Sequence, residues 1–382
     1  MNCSICSNKL DEIFVAKSPI SGYRCDSLKE SQLQPSFDLI FQYCKSCKMI
    51  NYKYHPEAGQ VLDRLYIGHT ATYYFTPQIN EYMNSFVDSI INEYGISSYS
   101  NVLEIGCNSG RMLTLFKGKT GCNIYGVEPS KTFKKLWESE NINVINDYFN
   151  RIVANKLSDK KYDIIFFRHV FEHIQDPLGF FGDIASICSS KTIIIIEVPC
   201  FTTVVNKKRI DNISYSHLNY FTNYSINKIV EKFGMGIKKS YKVETDGGSM
   251  VLHIQRDIKT DLNQLDFIEK IEIKKLINSI KKQKKNIKNK ISKYKINEIV
   301  GYGAGAKGQH LIHVLELQNS INIVLDDTPG YENKYIPGTS IIIKHPDLLK
   351  TGKFKAVINL APTHSEAIKA NVPSNIEYIE II

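Results

Sequence analysis

The sequence predicts an α/β protein in three parts: a small metal-binding N-terminal domain, a nucleoside-binding α/β domain, and a Rossmann-like α/β domain at the C-terminus. Three observations predict it. Two Cys-x-x-Cys pairs stand at Cys3/Cys6 and Cys44/Cys47. The buried-strand pattern Val102-Leu103-Glu104-Ile105 runs into a tight turn at Gly106, Asn108, Ser109 and Gly110. A second strand and glycine turn recur at Ile299-Val300 and Gly301-Tyr302-Gly303-Ala304-Gly305-Ala306-Lys307-Gly308. At 382 residues the chain is too long for one ordinary core, and boundaries are expected at 1–68, 69–256 and 257–382.

Composition narrows the partners. Hydrophobic residues at 43% and charged residues at 23% are those of a globular protein. No apolar run reaches the length of a membrane span, and MNCSICSNKL lacks an apolar signal core, so a cytoplasmic protein without a membrane partner is expected. The net charge is +9, but the lysines gather between residues 270 and 295, as on a solvated helix face. No nucleic-acid partner is therefore expected, and a monomer is the expected state. Nine cysteines in such a chain argue for metal ligation or inert thiols over disulfides.

In order, the four thiolates of Cys3, Cys6, Cys44 and Cys47 suit tetrahedral zinc, each Cys-x-x-Cys turn holding the metal from one side. Four sulfurs leave no open position, so the metal is structural, and a domain this small needs such a staple. The insert from Ile13 to Tyr43 reads as short strands and loops, with Cys25 a buried, inert thiol. Residues 60–95 read as two helical segments around the aromatic stretch Tyr66 to Tyr74. That stretch is either a lid carrying Tyr73 over the substrate or a linker packed on the core.

The central domain turns on residues 101–128. A glycine turn at the end of a strand lets a ligand approach amides at a helix N-terminus, and Glu128, at the tip of the next strand, can accept both hydroxyls of a ribose. A dinucleotide turn reads G-x-G-x-x-G. Here it reads E-x-G-x-x-x-G, and Glu104 suits an ammonium or sulfonium, which favours S-adenosylmethionine (SAM). The cofactor set is thus Glu104, Gly106, Asn108, Gly110 and Glu128. Asp147 and Tyr148 can bond an adenine amino group and cover its ring, or else cap a helix. Lys161 to Phe167 reads as a strand, apolar from Ile164 on, as in a central parallel strand. It delivers Arg168 and His169, assigned to the cofactor, and Glu172 and His173, assigned to the substrate and to catalysis, at the edge where open α/β sheets bind ligands.

The next loop carries Tyr215, His217 and Tyr220. Tyr215 and His217, two apart in an extended segment, would project from one face, giving a base that titrates near neutrality and phenols for a developing oxyanion. Residues 238–256 read as an antiparallel hairpin turning at Asp246-Gly247-Gly248. Residues 257–298 form a lysine-rich spacer helix with one apolar stripe. In the last domain Gly303, Lys307 and the strand-tip Asp326 suit either a second cofactor or a phosphate-bearing substrate.

These motifs resemble the sugar C-methyltransferases that act on deoxy-4-keto nucleotide sugars. The likeness spans essentially the whole chain in the same order. It rests on the four-cysteine knuckles, EIGCNSG at 104–110 (commonly EIGSNDG in that family), HVFEHIQDP at 169–177, TDGGSMVL at 245–252, GYGAGAKG at 301–308 and YIPGTSI at 335–341. The resemblance implies a class I SAM methyltransferase domain, SAM as donor, and a nucleotide sugar held between the last two domains. It also implies a base that removes the proton alpha to a ketone. Carried over by position, Tyr215 and His217 match a Tyr-x-Glu-His stretch with His217 as the base, and His173 matches the histidine that orients the enolate or a substrate hydroxyl. Two departures stand out. Ser216 replaces the family's glutamate, and Ala361-Pro362-Thr363-His364 replaces a Pro-Trp-Asn segment; both leave room for another acceptor or for O-methylation.

Overall fold

The computed structural model describes residues 2–19, 22–68 and 77–381. Tyr73 and most of the aromatic stretch following Tyr66 lie outside the described residues. Three sheets organise the chain. The first is antiparallel and four-stranded, in the order Leu10–Pro19, Ser36–Cys44, Ile50–Tyr52, Asn219–Tyr220. Its first two strands are long, ten and nine residues, where short strands and loops are expected from the sequence. The alternation Phe37-x-Leu39-x-Phe41-x-Tyr43 explains the length. All four side chains fall on one face and are buried. The fourth strand is borrowed from the loop that carries His217.

The second sheet has seven strands in the order Met235–Val243, Ser249–Arg256, Ile193–Pro199, Ile164–Arg168, Asn101–Ile105, Asn123–Val127, Asn143–Ile145. The hairpin expected over 238–256 is present and supplies the antiparallel edge. The remaining pairings are parallel. Ile164 to Phe167 is fully buried, because helices cover both faces of a central parallel strand. The strand order reverses between Asn101–Ile105 and Ile164–Arg168, and the crevice for a ligand opens at the carboxyl ends of those two strands.

The third sheet is parallel, in the order Ile342–Lys344, Ile323–Leu325, Ile299–Tyr302, Ala356–Asn359, Glu377–Ile379. The spacer helix is shorter than its sequence pattern, Lys270–Ile291, and opens with a capping box between Glu269 and Glu272. Ile273, Leu276, Ile277, Ile280, Ile287 and Ile291 form its single buried stripe. At its start Glu269 accepts from Tyr43 Oη (2.8 Å) and Lys48 Nζ (2.5 Å). Near its end Lys284 and Lys288 pair with Glu316. One continuous apolar cluster runs from Phe37 and Phe41 through this stripe to Ile299 and Ile358. Among the described residues no helix is long and apolar enough to cross a membrane.

Because Ile280 is 4% exposed in that shared cluster, Ile280→Ala is expected to cost about 2–4 kcal/mol. Lys281→Ala, one residue along on the exposed face, should stay within about 0.5 kcal/mol. Urea midpoints of the two variants check this.

Candidate active site

The first glycine turn is built by backbone that few residues tolerate. Gly106, Asn108 and Gly110 lie at φ 73°, 49° and 77°. A side chain at Gly106 would place its Cβ 2.4 Å from Val170 Cγ2, so the cofactor turn rests directly on the turn that carries Glu172 and His173. Glu128 accepts from Asn108 N and Ser130 N, both at 2.9 Å, and burial raises its pKa above the usual carboxylate value. Trp137 Nε1 donates to Asn108 O (2.8 Å) and fixes the turn from outside. Asp147 accepts from Tyr148 N, and the exposed Tyr148 donates from its hydroxyl to Asp63 (3.2 Å).

Glu104 is 5% exposed, and its Oε2 has no partner among the described residues. Burial pushes its pKa well up, Arg168 pulling the other way. A buried carboxyl without a partner, beside a glycine turn, fits a cationic ligand such as the ammonium or sulfonium of SAM. Arg168 itself is committed elsewhere. Its Nε donates to Glu197 at 2.5 Å, and Glu197 also accepts from Tyr82 Oη and Thr245 Oγ1, both at 2.9 Å. Burial alone would raise the Glu197 pKa, but Arg168 and His169 hold it far below the usual range. Arg168 therefore braces the switch-point edge, and among the described residues its hydrogen bond goes to Glu197 and not to the glycine turn.

The strand end then folds into a 3-10 turn, Phe171–His173, followed by a helix whose N-cap Asp176 accepts from Gly179 N (3.0 Å). This places Glu172, His173 and His217 together. One carboxylate oxygen and one ring nitrogen from each histidine lie within 4.8 Å of one another, and the two rings meet edge-on with centroids 5.1 Å apart. His173 Nδ1 is 2.7 Å from Ser216 O. A carbonyl only accepts, so Nδ1 carries the proton, and the Nε2 lone pair of a neutral His173 is left for a ligand. Tyr66 Oη lies 3.1 Å from the same nitrogen. Burial, His173 and the Lys307 charge bring the His217 pKa down to about 3, with Glu172 opposing, so His217 is a neutral imidazole at physiological pH. Glu172 is 2% exposed; burial would raise its pKa, but the His169 hydrogen bond and the surrounding imidazoles hold it below the usual value. Two imidazoles and a carboxylate at this spacing could also hold a divalent cation.

Tyr215 is not part of this group. Residues 214–217 form a turn closed by His217 N donating to Ser214 O (3.0 Å), so the segment is not extended and the spacing of two no longer implies a shared face. Its ring packs between Phe37 and Tyr52, and its hydroxyl accepts from His55 N (2.9 Å). Counting back from His217, the tyrosine of a Tyr-x-Glu-His pattern falls on Ser214, whose hydroxyl meets that of Ser216 at 2.9 Å. Tyr220 is likewise spent on structure, its hydroxyl closing the turn at Ser214 N and O, both at 3.0 Å.

In the last domain Gly303 lies at φ 108° and Asp326 accepts from Ala304 N (2.6 Å) and Thr328 N (2.9 Å), repeating the acid-to-turn contact of Glu128. Lys307 follows in the first turn of the helix Ala306–Val314, and its charge acts on His217. This domain therefore faces the central one across the histidine pair. Two residues of the region have no motif to announce them. Tyr66 was visible only as part of an aromatic stretch. His310 is 1% exposed with both ring nitrogens unpartnered, within electrostatic reach of Asp211 and His217.

The four N-terminal cysteines also converge. Cys3 and Cys47 Sγ are 3.5 Å apart, Cys6 and Cys44 Sγ 3.4 Å, and all four sulfurs lie within 4.8 Å. Sulfurs around a tetrahedral ion with bonds of about 2.3 Å would sit at about this spacing.

A sheet with one reversed edge hairpin, a glycine turn on its central strand and an acid at the next strand tip defines a methyltransferase domain, and residues 79–238 match the family model described as "Methyltransferase domain". Residues 244–377 match the model described as "C-methyltransferase C-terminal domain". Together the two matches make the chain a SAM-dependent C-methyltransferase. It is similar to the C-methyltransferase NovU of Streptomyces niveus, with 20% identity over 365 residues, 90% of this chain and 86% of that protein. Among solved structures it is similar to magnesium protoporphyrin IX methyltransferase from Synechocystis PCC 6803 with bound SAH (18% identity, 52% of this chain, 94% of that chain, TM-score 0.36). It is also similar to an S-adenosylmethionine-dependent methyltransferase from Clostridium acetobutylicum ATCC 824 (10% identity, 52% and 98%, TM-score 0.37).

The buried histidines set an acid limit on stability. Burial lowers the pKa of His217 and His310 to about 3 and of His253 and His313 to about 4. The unfolded chain takes up these protons below about pH 6.5 while the folded chain does not, so each group removes up to about 1.4 kcal/mol per pH unit as pH falls from about 6.5 to 4. Thermal melts should show a plateau above pH 7.5 and a decline from pH 6.5 downward. The decline should be shallower in His253→Asn.

Proposed function

We propose that this enzyme transfers a methyl group to a carbon of a nucleotide-linked keto-deoxysugar, alpha to its ketone, through a base-generated enolate. The observation that carries the reading is the His173–His217 pair. A neutral imidazole stands beside a second imidazole whose tautomer is fixed, at the carboxyl edge of the sheet and opposite the Lys307 turn of the last domain. In this reading Glu104, Gly106, Asn108, Gly110 and Glu128 hold SAM, Asp147 and Tyr148 lie along its adenine, and His169 and Glu172 border the substrate. Gly303, Lys307 and Asp326 take the nucleotide. The domain division 1–68, 69–256 and 257–382 goes with these roles.

SAM supplies an electrophilic methyl group whose bond breaks toward sulfur, so the chain's task is to make and align a carbon nucleophile. A ring nitrogen of His217 takes the alpha proton, the C–H electron pair moves into the new C=C bond, and the carbonyl oxygen becomes an oxyanion. The Tyr66 hydroxyl, turned from Ser216 O (3.2 Å) toward the substrate, donates to that oxyanion, and His173, its Nδ1–H held by Ser216 O, accepts at Nε2 from a neighbouring sugar hydroxyl. A pKa near 3 makes His217 a weak base in the free enzyme. Lys307 contributes to that depression, and a diphosphate bound against Lys307 offsets its charge and raises the basicity of His217 as the substrate arrives.

Solvent deuterium should exchange into the alpha carbon of 4-keto nucleotide sugars in the presence of S-adenosylhomocysteine, without turnover. His217→Ala should lower the exchange by at least about 100-fold while leaving SAM affinity within twofold. Wild-type enzyme that methylates without any exchange would instead favour O- or N-methylation, the alternative that Ser216 in place of a glutamate keeps open.

The cysteine geometry supports one structural zinc per chain. Elemental analysis should find one equivalent, lost in Cys44→Ser together with the melting transition of the native fold. A second equivalent retained by Glu172, His173 and His217 would remove His217 from the role of base.

A further inference from the structure

The segment after residue 21 belongs to the cysteine domain but lies on the glycine turn of the last domain. Gln309, wholly buried in the helix Ala306–Val314, donates to Tyr23 O (3.0 Å) and Ala304 O (2.9 Å) and accepts from Gly22 N (2.9 Å). Cys25 and Tyr335 exchange backbone hydrogen bonds of 3.0 and 2.9 Å. Between these two attachments stands Arg24. Its guanidinium carbon is 3.4 Å from the Tyr331 ring centroid, and its terminal nitrogens donate to Gly22 O (3.2 Å) and Ala304 O (3.1 Å). Its Nε is out of solvent and has no partner among the described residues.

A guanidinium carries five N–H donors. Two are given to carbonyls here, and three remain. Among the described residues no carboxylate forms an ion pair with Arg24; the Asp326 charge reaches it, but both Asp326 oxygens already accept from backbone amides. Burial accordingly lowers the Arg24 pKa, the mark of a cation with too little compensation. A planar fork stacked on a ring is pre-organised for a bidentate anion. The anion it faces must be one that enters at the Gly303–Ala304 turn, on the side where Lys307 begins the helix.

We propose that Arg24, contributed by the cysteine domain, contacts the diphosphate of the nucleotide-linked substrate at the C-terminal glycine turn, so that this subsite is built from both ends of the chain. The inference rests on the nucleotide-linked reading above. It explains why a segment so far from the reacting carbon is fastened to Ala304 by a buried glutamine.

Calorimetry on the full chain with uridine, thymidine, guanosine and cytidine diphosphates tests it, with S-adenosylhomocysteine as the control ligand. Wild type should bind at least one diphosphate. Arg24→Ala should weaken that diphosphate by tenfold or more with S-adenosylhomocysteine affinity within twofold. Arg24→Lys, which keeps the charge and loses the fork, should fall between. If Arg24→Ala keeps the diphosphate affinity within twofold, or loses both ligands together, the inference is overturned and the substrate reading stands. If wild type binds none of the four, both fall.

Discussion

Two backbone pairings, Ile50 with Tyr220 and Asn51 with Asn219, join the cysteine domain to the loop that carries His217, and Tyr52 N donates to Leu218 O at 2.8 Å beside them. The strand involved begins three residues after Cys47. A fixed knuckle therefore sets a strand, the strand sets residues 218–220, and these set the imidazole. Asn219 extends the chain of support by donating to Ile174 O (2.6 Å), which holds the turn bearing Glu172 and His173. On the proposed reading a metal at the four cysteines would matter to the chemistry without touching it, because a base displaced by about an ångström loses most of its advantage.

Polar groups in this protein divide into those that are satisfied and those that are not. Glu197 gathers Arg168, Tyr82 and Thr245 from three elements and leaves nothing spare. Asp211 is closed in the same way by Arg209. Glu104 Oε2, the His310 ring nitrogens and Arg24 Nε are out of solvent and without partners among the described residues. Glu104 lies on the strand that runs into the first glycine turn, and Arg24 lies against the second. Such groups cost about 1–3 kcal/mol each when left unmet, and a polar ligand at either turn would relieve that cost.

The glycine turns, the cysteine pairs, the hairpin and the apolar stripe of the long helix were legible in the sequence because each is local. A left-handed turn, a metal knuckle or a repeat of three and four residues writes its geometry into neighbouring letters. Tyr215 was misplaced because spacing of two implies a shared face only in an extended segment, and a single hydrogen bond from His217 to Ser214 made it a turn. Arg168 was read as a ligand-binding cation at a strand tip, but its partner Glu197 is on the next strand, 29 residues on. The length of the strands Leu10–Pro19 and Ser36–Cys44 was written in an alternating pattern obscured by the many polar residues on the other face. Arg24 could not be found by motif, since what gives it meaning is a turn 280 residues away.

The borrowed strand also bears on how such a chain can be inherited. The cysteine domain contributes Phe41 and Tyr52 to the apolar cluster shared with the last domain, and Ile5 and Met49 to the cluster shared with Phe171 and Phe221 of the central one. A recombination event joining the first sixty-odd codons of one such gene to the remainder of a diverged cousin would leave Asn219–Tyr220 facing a foreign edge and two half-cores mismatched at once. New acceptor preferences in this architecture are therefore more readily reached by substitutions scattered across the joints than by exchange of whole modules.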